Sequence, residues 1–490
     1  MATYNLGNIK GPKGDDATIN GISEATITNG SGVTVITDVN AKIITIGADS
    51  ETAPYDNSGT TLESTTIANA IDELSDKIDP YIDLSDAEVY SFFIDTTKSI
   101  PDEMIVYPSN ARNANYTPVR LNASNVFDYG DWGDAFFIKN TKPCMLKFDG
   151  TVDYYLNKAN YNQKADGTAH SNLNNESYAG NAMVEFPQIW ICVSTNSIDG
   201  ASEKKPRIFV ANKNLSNATY NYHAFAHTDY NGNIIDKIYM PAYEGSKDSS
   251  NRLRSLAGKA IMVSQTGSTE RSYAQANNTA GSISNAWDMS PLCDHELLMI
   301  LCLLISKTTN NQDAFGKGLV NLSAQTSTGQ TITSGFFAGT TADGTHAVKV
   351  FGIENPWGNV WMRKTGCVHD ANGHLRIKMI PPYVTDPASE TALLQTYEDL
   401  GIGNGHDGYL KECKFNEFGI FPFNKGGSET TYYCDYMYGS TSAYKNTFAL
   451  FGDRWDRGGR AGLFCWDLSD AVSHTYATLG SSVCCKPLAA

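Results

Sequence analysis

The chain is 490 residues long, which exceeds one ordinary domain and sets an expectation of about three. Hydrophobic residues make up 41% and aromatics 11%, enough for packed cores, while 26 tyrosines, 42 glycines and only 18% charged residues predict a β-rich, loop-rich protein with adhesive surfaces. A net charge of −16 and a pI near 5.0 oppose nucleic-acid binding, which needs an electropositive footprint, and docking on an anionic membrane.

In chain order, Met1–Leu6 lacks the basic start and apolar core of a secretion signal. The next stretch is rich in Gly, Thr, Asn and Ile. Alternation in Val33-Thr-Val-Ile-Thr37 and Lys42-Ile-Ile-Thr-Ile-Gly47 predicts short strands between turns. Gly11-Pro-Lys-Gly-Asp-Asp16 holds two collagen-like triplets. These are too few for a triple helix, yet glycine at every third position suits three chains meeting on an axis, and a flexible loop is the equal alternative.

From Thr65 to Ile78 the apolar residues Ile67, Ala70, Ile71, Leu74 and Ile78 form a narrow helical stripe. A helix of about fifteen residues with so thin a stripe is marginal alone and wants partners. The segment resembles the Ala-Ile-Asp-Glu-Leu stretch of phage tail fibres, which forms a short trimeric bundle. That resemblance implies a homotrimer, with residues 1–85 as an attachment and trimerisation segment that meets other phage tail proteins through the N-terminus.

Residues 86–280 are dense in Tyr, Asn, Phe and Asp and read as a β-rich middle region, with strand-like pieces at Val89–Ile94, Ala135–Ile138, Cys144–Phe148 and Arg207–Val210. Trp132 and Trp190 read as core or interface aromatics. Gly150-Thr-Val-Asp-Tyr-Tyr-Leu156 and Met183-Val-Glu-Phe-Pro-Gln-Ile-Trp190 are similar to gut-phage tail proteins, where such stretches precede a lectin-like part. The boundary near 280 is therefore soft, and one large domain from 90 to 490 is the alternative.

Asp294–Ser306 reads as an amphipathic-to-buried helix, with Asp294 near its start. Its apolar run, Leu297–Ile305, is far short of the roughly 20 residues that span a bilayer, so no membrane insertion is expected. The ten cysteines show no CxxC pair and lie near no His-rich cluster, which predicts free, mostly buried thiols rather than a zinc site.

Two C-terminal stretches carry the strongest resemblance. Val350-Phe-Gly-Ile-Glu-Asn-Pro-Trp-Gly-Asn-Val-Trp361 resembles the Gly-Asn-Val-Trp core of C-type lectin domains of the formylglycine-generating-enzyme type. Phe448-Ala-Leu-Phe-Gly-Asp-Arg-Trp-Asp-Arg-Gly-Gly-Arg-Ala-Gly-Leu-Phe464 resembles the segment that closes such domains in phage tail-tip proteins diversified by retroelements, of the major-tropism-determinant kind. The resemblance implies an α+β, β-rich fold with a C-type-lectin-like domain over 281–490, a variable region at about 430–480, and a place at the tip of a virion tail. The implied partner is a bacterial surface protein or glycan.

Between Thr430 and Tyr476 stands an unusual mixture: Tyr432, Tyr433, Asp435, Tyr436, Tyr438, Asp453, Arg454, Asp456, Arg457, Arg460, Asp467, Ser469, Asp470, His474 and Tyr476. At exposed loop positions these types supply rigid contact area, forked hydrogen bonds and charge, as antibody paratopes do. They are also what randomised adenines in Asn codons yield. The interleaved Ala449, Leu450, Phe451, Trp455, Ala461, Gly462, Leu463, Phe464, Leu468 and Ala471 read as frame.

The enzymatic rivals are weaker. A copper oxidase needs a cysteine pair that the matching C-terminal positions lack. A tail-borne glycan hydrolase needs two carboxylates about 5–9 Å apart, for which Asp453, Asp456, Asp467 and Asp470 qualify by type only. A non-viral diversified surface adhesin is the other alternative. No cofactor is expected, and calcium has no specific support, since Glu354-Asn355-Pro356 scrambles the Glu-Pro-Asn order and sits inside the frame motif.

Overall fold

The computed structural model describes residues 87–488 except 404–406 and 440, together with the backbone of Thr34–Asp38 and Ile43–Gly47. The Gly11–Asp16 triplets and the Ile67–Ile78 stripe lie outside the described residues. The chain divides into two compact units. In the first, Thr34–Asp38 pairs antiparallel with Ile43–Gly47, as the alternation there predicts.

The second unit takes in Tyr90–Thr195, Ala201–Asn214 and Tyr222–Ala490. One hydrophobic core runs from Tyr90 and Trp132 through the helix Leu292–Ser306 to Phe451 and Trp466, so residues on both sides of position 280 share it. Strands exceed helices about two to one, at 31% against 15%, which makes the fold β-rich α+β.

A seven-stranded sheet runs in the order Trp287–Met289, Val483–Cys485, Lys237–Pro241, Gly180–Pro187, Lys142–Lys147, Val152–Asn157 and Asn160–Lys164. Its second strand comes from the far end of the chain. A larger sheet runs Glu398–Gly401, Leu375–Ile377, Trp361–His369, Phe448–Phe451, Trp466–Asp467, Tyr436–Tyr438, Gly408–Asn416 and Gly419–Lys425. Leu479–Ser481 joins it parallel to Trp361–Arg363.

Most sequence-predicted elements match. Val89–Ile94 and Arg207–Ala211 are strands, and Lys142–Lys147 covers most of the predicted Cys144–Phe148. Ala135–Ile138 is different: it opens the short helix Phe136–Lys139. Phe136, Phe137 and Ile138 are all buried, and consecutive burial cannot come from a strand with one solvated face. Helix Leu292–Ser306 is buried at every one of its positions, the polar Asp294, His295 and Glu296 of its first turns included.

Nine of the ten cysteines are buried, and Cys413 is partly so. Buried arginine pairs join helix Gly267–Gly281 to its neighbours. Arg271 grips both oxygens of Asp288 at 2.9–3.2 Å, and Arg363 meets Glu270 at 2.9 Å with both side chains at 0% exposure.

The motif Val350–Trp361 is a buried knot. Phe351, Asn355 and Asn359 adopt positive φ (48°, 48° and 65°), as do Gly352 and Gly358. Asparagine tolerates this region because its short amide bonds locally. Here both amides do more: the Asn355 and Asn359 Nδ2 groups donate to the same oxygen, Glu244 Oε2, at 2.9 and 2.8 Å. Burial pushes the Glu244 carboxyl up to about 8, against the two amides that lower it, so it is an uncharged acid at neutral pH.

Glu354 accepts from the Gly329 and Thr331 backbone N–H groups and the Thr331 hydroxyl at 2.6–2.7 Å, and Trp357 Nε1 donates to the Lys317 carbonyl. The Glu-Asn-Pro triplet therefore spends its polar atoms inside the frame. Asn359→Ala should cost about 1–3 kcal/mol, the loss of a buried hydrogen bond. Trp357→Ala, which empties a buried indole site, should cost about 3–5 kcal/mol. Both are checked by denaturant unfolding.

Candidate functional site

Strand geometry builds the site. Tyr436–Tyr438 projects Tyr436 and Tyr438 to one side and the fully buried Met437 to the other. Tyr438 pairs with Asp467 on a parallel neighbour, and Tyr436 with Tyr409 on an antiparallel one. The rings form a shelf: Tyr436 lies 4.6 Å from Tyr438 and 5.1 Å from Tyr409, and Trp361 meets Tyr438 edge-on at 5.6 Å. Beneath it Trp361, Leu450, Cys465 and Leu479 make a small apolar cluster.

Arginines cap the shelf. The turn Gly458–Arg460 carries the Arg460 guanidinium to 4.5 Å above the Tyr436 ring, where one nitrogen donates to Tyr438 Oη at 3.3 Å. Arg460 has no carboxylate within ion-pair distance among the described residues. Arg457 lies 5.8 Å from the Tyr438 ring centre, near Asp453 (3.9 Å) and Asp456 (3.7 Å). Arg454 pairs with Asp456 at 2.8 Å.

Gly452 positions this loop. At φ 89°, it lies so close to Pro356 and Trp357 that a Cβ would sit 2.9 Å from the Pro356 carbonyl oxygen. The next residue, Asp453, takes φ 64°, which turns its carboxylate inward. It accepts from Tyr438 Oη at 3.3 Å and from the Arg454 N–H at 2.9 Å. Burial pushes its carboxyl up to about 7.

The fifteen sequence-predicted residues separate into groups. Tyr436, Tyr438, Arg457 and Arg460 come together on the shelf, with Arg454 and Asp456 at its rim. Asp470 and His474 pair, and Tyr476, 53% exposed, lies 5.3 Å from the His474 ring. Ser469 turns back to donate to Asp467. Tyr432 stands elsewhere, half-buried, with its N–H on the Ser99 carbonyl and Lys411 5.6 Å from its ring.

The predicted exposed loop positions hold for few of the set: only Asp456 and Tyr476 are exposed, nine members are partly buried, Tyr436 and Tyr438 among them on a strand, and four are buried. Tyr433 is fully buried with its ring 4.7 Å from Phe464. Asp435 accepts the Phe464 N–H at 2.7 Å and fills the space where a Cβ on Gly462 would go. Asp453 and Asp467 are 0% and 8% exposed. Their carboxylates serve local N–H and O–H donors, so these side chains belong to the frame. Conversely, Trp455 and Ala471, predicted as frame, are partly exposed.

Sequence reasoning missed Tyr409, which donates to Glu429 at 3.4 Å. It lies outside the Thr430–Tyr476 window, and only strand pairing brings it to the shelf. Among the described residues no group of three or more His, Cys, Asp or Glu side chains is placed to hold a metal, and no helix is long and apolar enough to cross a membrane. No protein-family model matches this chain, and no curated protein matches it.

Asp453 makes stability depend on pH. Its carboxyl stays protonated in the folded state up to about 7 but ionises near 3.8 in the unfolded chain, so the folded state binds the extra proton between those values. Its contribution to stability therefore falls as pH rises from about 4 to about 7 and is level above. Asp453→Asn removes this dependence. The melting temperature of the variant minus that of the wild type should grow more positive across that interval, measured by calorimetry at several pH values.

Proposed function

We propose that the chain is a receptor-binding protein of a phage tail tip that adsorbs to a bacterial surface protein or glycan through the tyrosine–arginine shelf. The C-terminal part is the C-type-lectin-like frame, and the N-terminal 85 residues trimerise it and attach it to other tail proteins. One observation carries the reading: Tyr436, Tyr438, Arg457 and Arg460 reach the surface from backbone whose neighbours Phe448–Phe451 and Ala461–Trp466 are buried throughout. Such a frame lets surface side chains change without disturbing the core.

The chemistry of the shelf supports recognition. Tyrosine and arginine are the types that dominate binding hot spots, since they bury large area and form forked hydrogen bonds at low entropic cost. The guanidinium of Arg460 is already held by two rings, which fixes it before a ligand arrives. Three copies on a trimer raise avidity by about 10²–10⁴-fold without new contacts. The residue types along 430–480 support diversification by a retroelement, which predicts a near-identical DNA repeat differing at adenines and beside a reverse transcriptase gene.

The hydrolase alternative is weakened because Asp453 and Asp467, two of its four candidate carboxylates, are buried and engaged by frame donors. Tyr436→Ala and Arg460→Ala should each weaken adsorption of purified protein to host cells by roughly thirtyfold, the effect of losing about 2 kcal/mol at a hot spot. Their melting temperatures should change little. Unchanged adsorption in both variants places the binding face elsewhere, and release of reducing sugar from host envelope assigns the hydrolase instead.

A further inference from the structure

The ion pair Lys486–Asp294 differs from the buried pair Arg271–Asp288. Lys486 follows the strand Val483–Cys485, and Asp294 lies in the first turn of helix Leu292–Ser306. Lys486 Nζ stands 3.1 Å from Asp294 Oδ1, with side-chain exposures of 1% and 5%. As an ion pair it is poorly completed. Asp294 Oδ2 has no hydrogen-bond partner, and the other bond from the ammonium goes to the Cys293 thiol at 3.2 Å, a weak acceptor. Arg271, by contrast, bonds both Asp288 oxygens, the Tyr383 carbonyl and the Thr385 hydroxyl. Two buried charges hold together favourably only when their remaining lone pairs and protons are satisfied.

Asp294 also lines a cavity of about 50 Å³, together with Glu244, His295, Lys364, Ser290 and Ser482. Glu244 brings a second unpartnered carboxyl oxygen, Oε1, to this set. A cavity of this size holds a few water molecules.

We propose that Lys486 and Asp294 condense into an amide, an isopeptide staple made by the folded chain itself. The ammonium passes one proton to the Asp294 carboxylate, and the freed amine adds to Asp294 Cγ. The Glu244 acid group supports the developing oxyanion and protonates the departing hydroxyl, then recovers its proton from the new nitrogen. The Cγ–O bond breaks, the Cγ–N bond forms, and one water leaves into the cavity. An ammonium and a carboxylate become a secondary amide and water, with no oxidant or other reactant consumed. The product removes two charges from an interior that solvates them badly. It also closes a very long loop, tying the C-terminal strand to the central helix, which restricts the unfolded chain most when the loop is long.

Mass spectrometry tests this on the full-length protein. The denatured wild-type chain should weigh one water less than its sequence mass, and digestion should release a branched peptide joining Asp294 to Lys486. Lys486→Arg keeps the charge but cannot form the amide, so it should show its full sequence mass and a lower melting temperature. A wild-type mass equal to the sequence sum overturns the proposal, as does a branch through Lys364.

Discussion

Glu244, closed on by the amides of Asn355 and Asn359, is the interaction on which the second unit depends. A buried acid with two donors on one oxygen holds two asparagines in left-handed backbone, and those two residues set the path of the whole Val350–Trp361 segment. From that segment Trp357 packs on Gly452, and Gly452 in turn fixes the turn that points Asp453 inward and Arg457 outward. A contact of Glu244, more than 200 residues earlier in the chain, thus helps set the path of the shelf loop.

A buried ion pair plays the same part at strand Trp361–His369 of the large sheet. Arg363, wholly buried on strand Trp361–His369, pairs with Glu270 and reaches the carbonyls of Gln265 and His474. It therefore anchors the Asp470–Tyr476 loop to helix Gly267–Gly281. Such pairs add little net stability over apolar packing, but removing one partner strands a buried charge. Their effect is to permit one arrangement of the loop and penalise others.

The result is a division of labour at single-residue spacing. Along Tyr432–Tyr438 and Asp453–Tyr476, residues of similar chemistry alternate between structural and surface duty. Asp435 and Asp453 are polar struts, while Asp456 is a rim charge. Tyr433 is core, while Tyr436 and Tyr438 are shelf. Backbone amides that must be satisfied inside the protein claim some of the carboxylates, and only the remainder is available to a ligand.

The sequence by itself determined the β-rich class, the strands whose alternation or β-branched content was strong, such as Val89–Ile94, and the buried character of Leu297–Ile305. It also marked Ala449, Leu450, Phe451, Leu463, Phe464 and Leu468 as frame, because apolar residues recur there among polar ones. Local pattern decides these features, so local pattern reveals them. It misread Ala135–Ile138, which leads into the short helix Phe136–Lys139.

Only the tertiary structure decided which polar residues of the variable-type segment face water. Tyr433 and Tyr436 differ by no local signal, and neither do Asp453 and Asp456. Their fates depend on which neighbours offer unsatisfied N–H groups, and those neighbours arrive from strands and loops distant in sequence. Tyr409 joined the shelf, and Glu244 the frame, through pairing across such separations, which no periodicity within a window encodes.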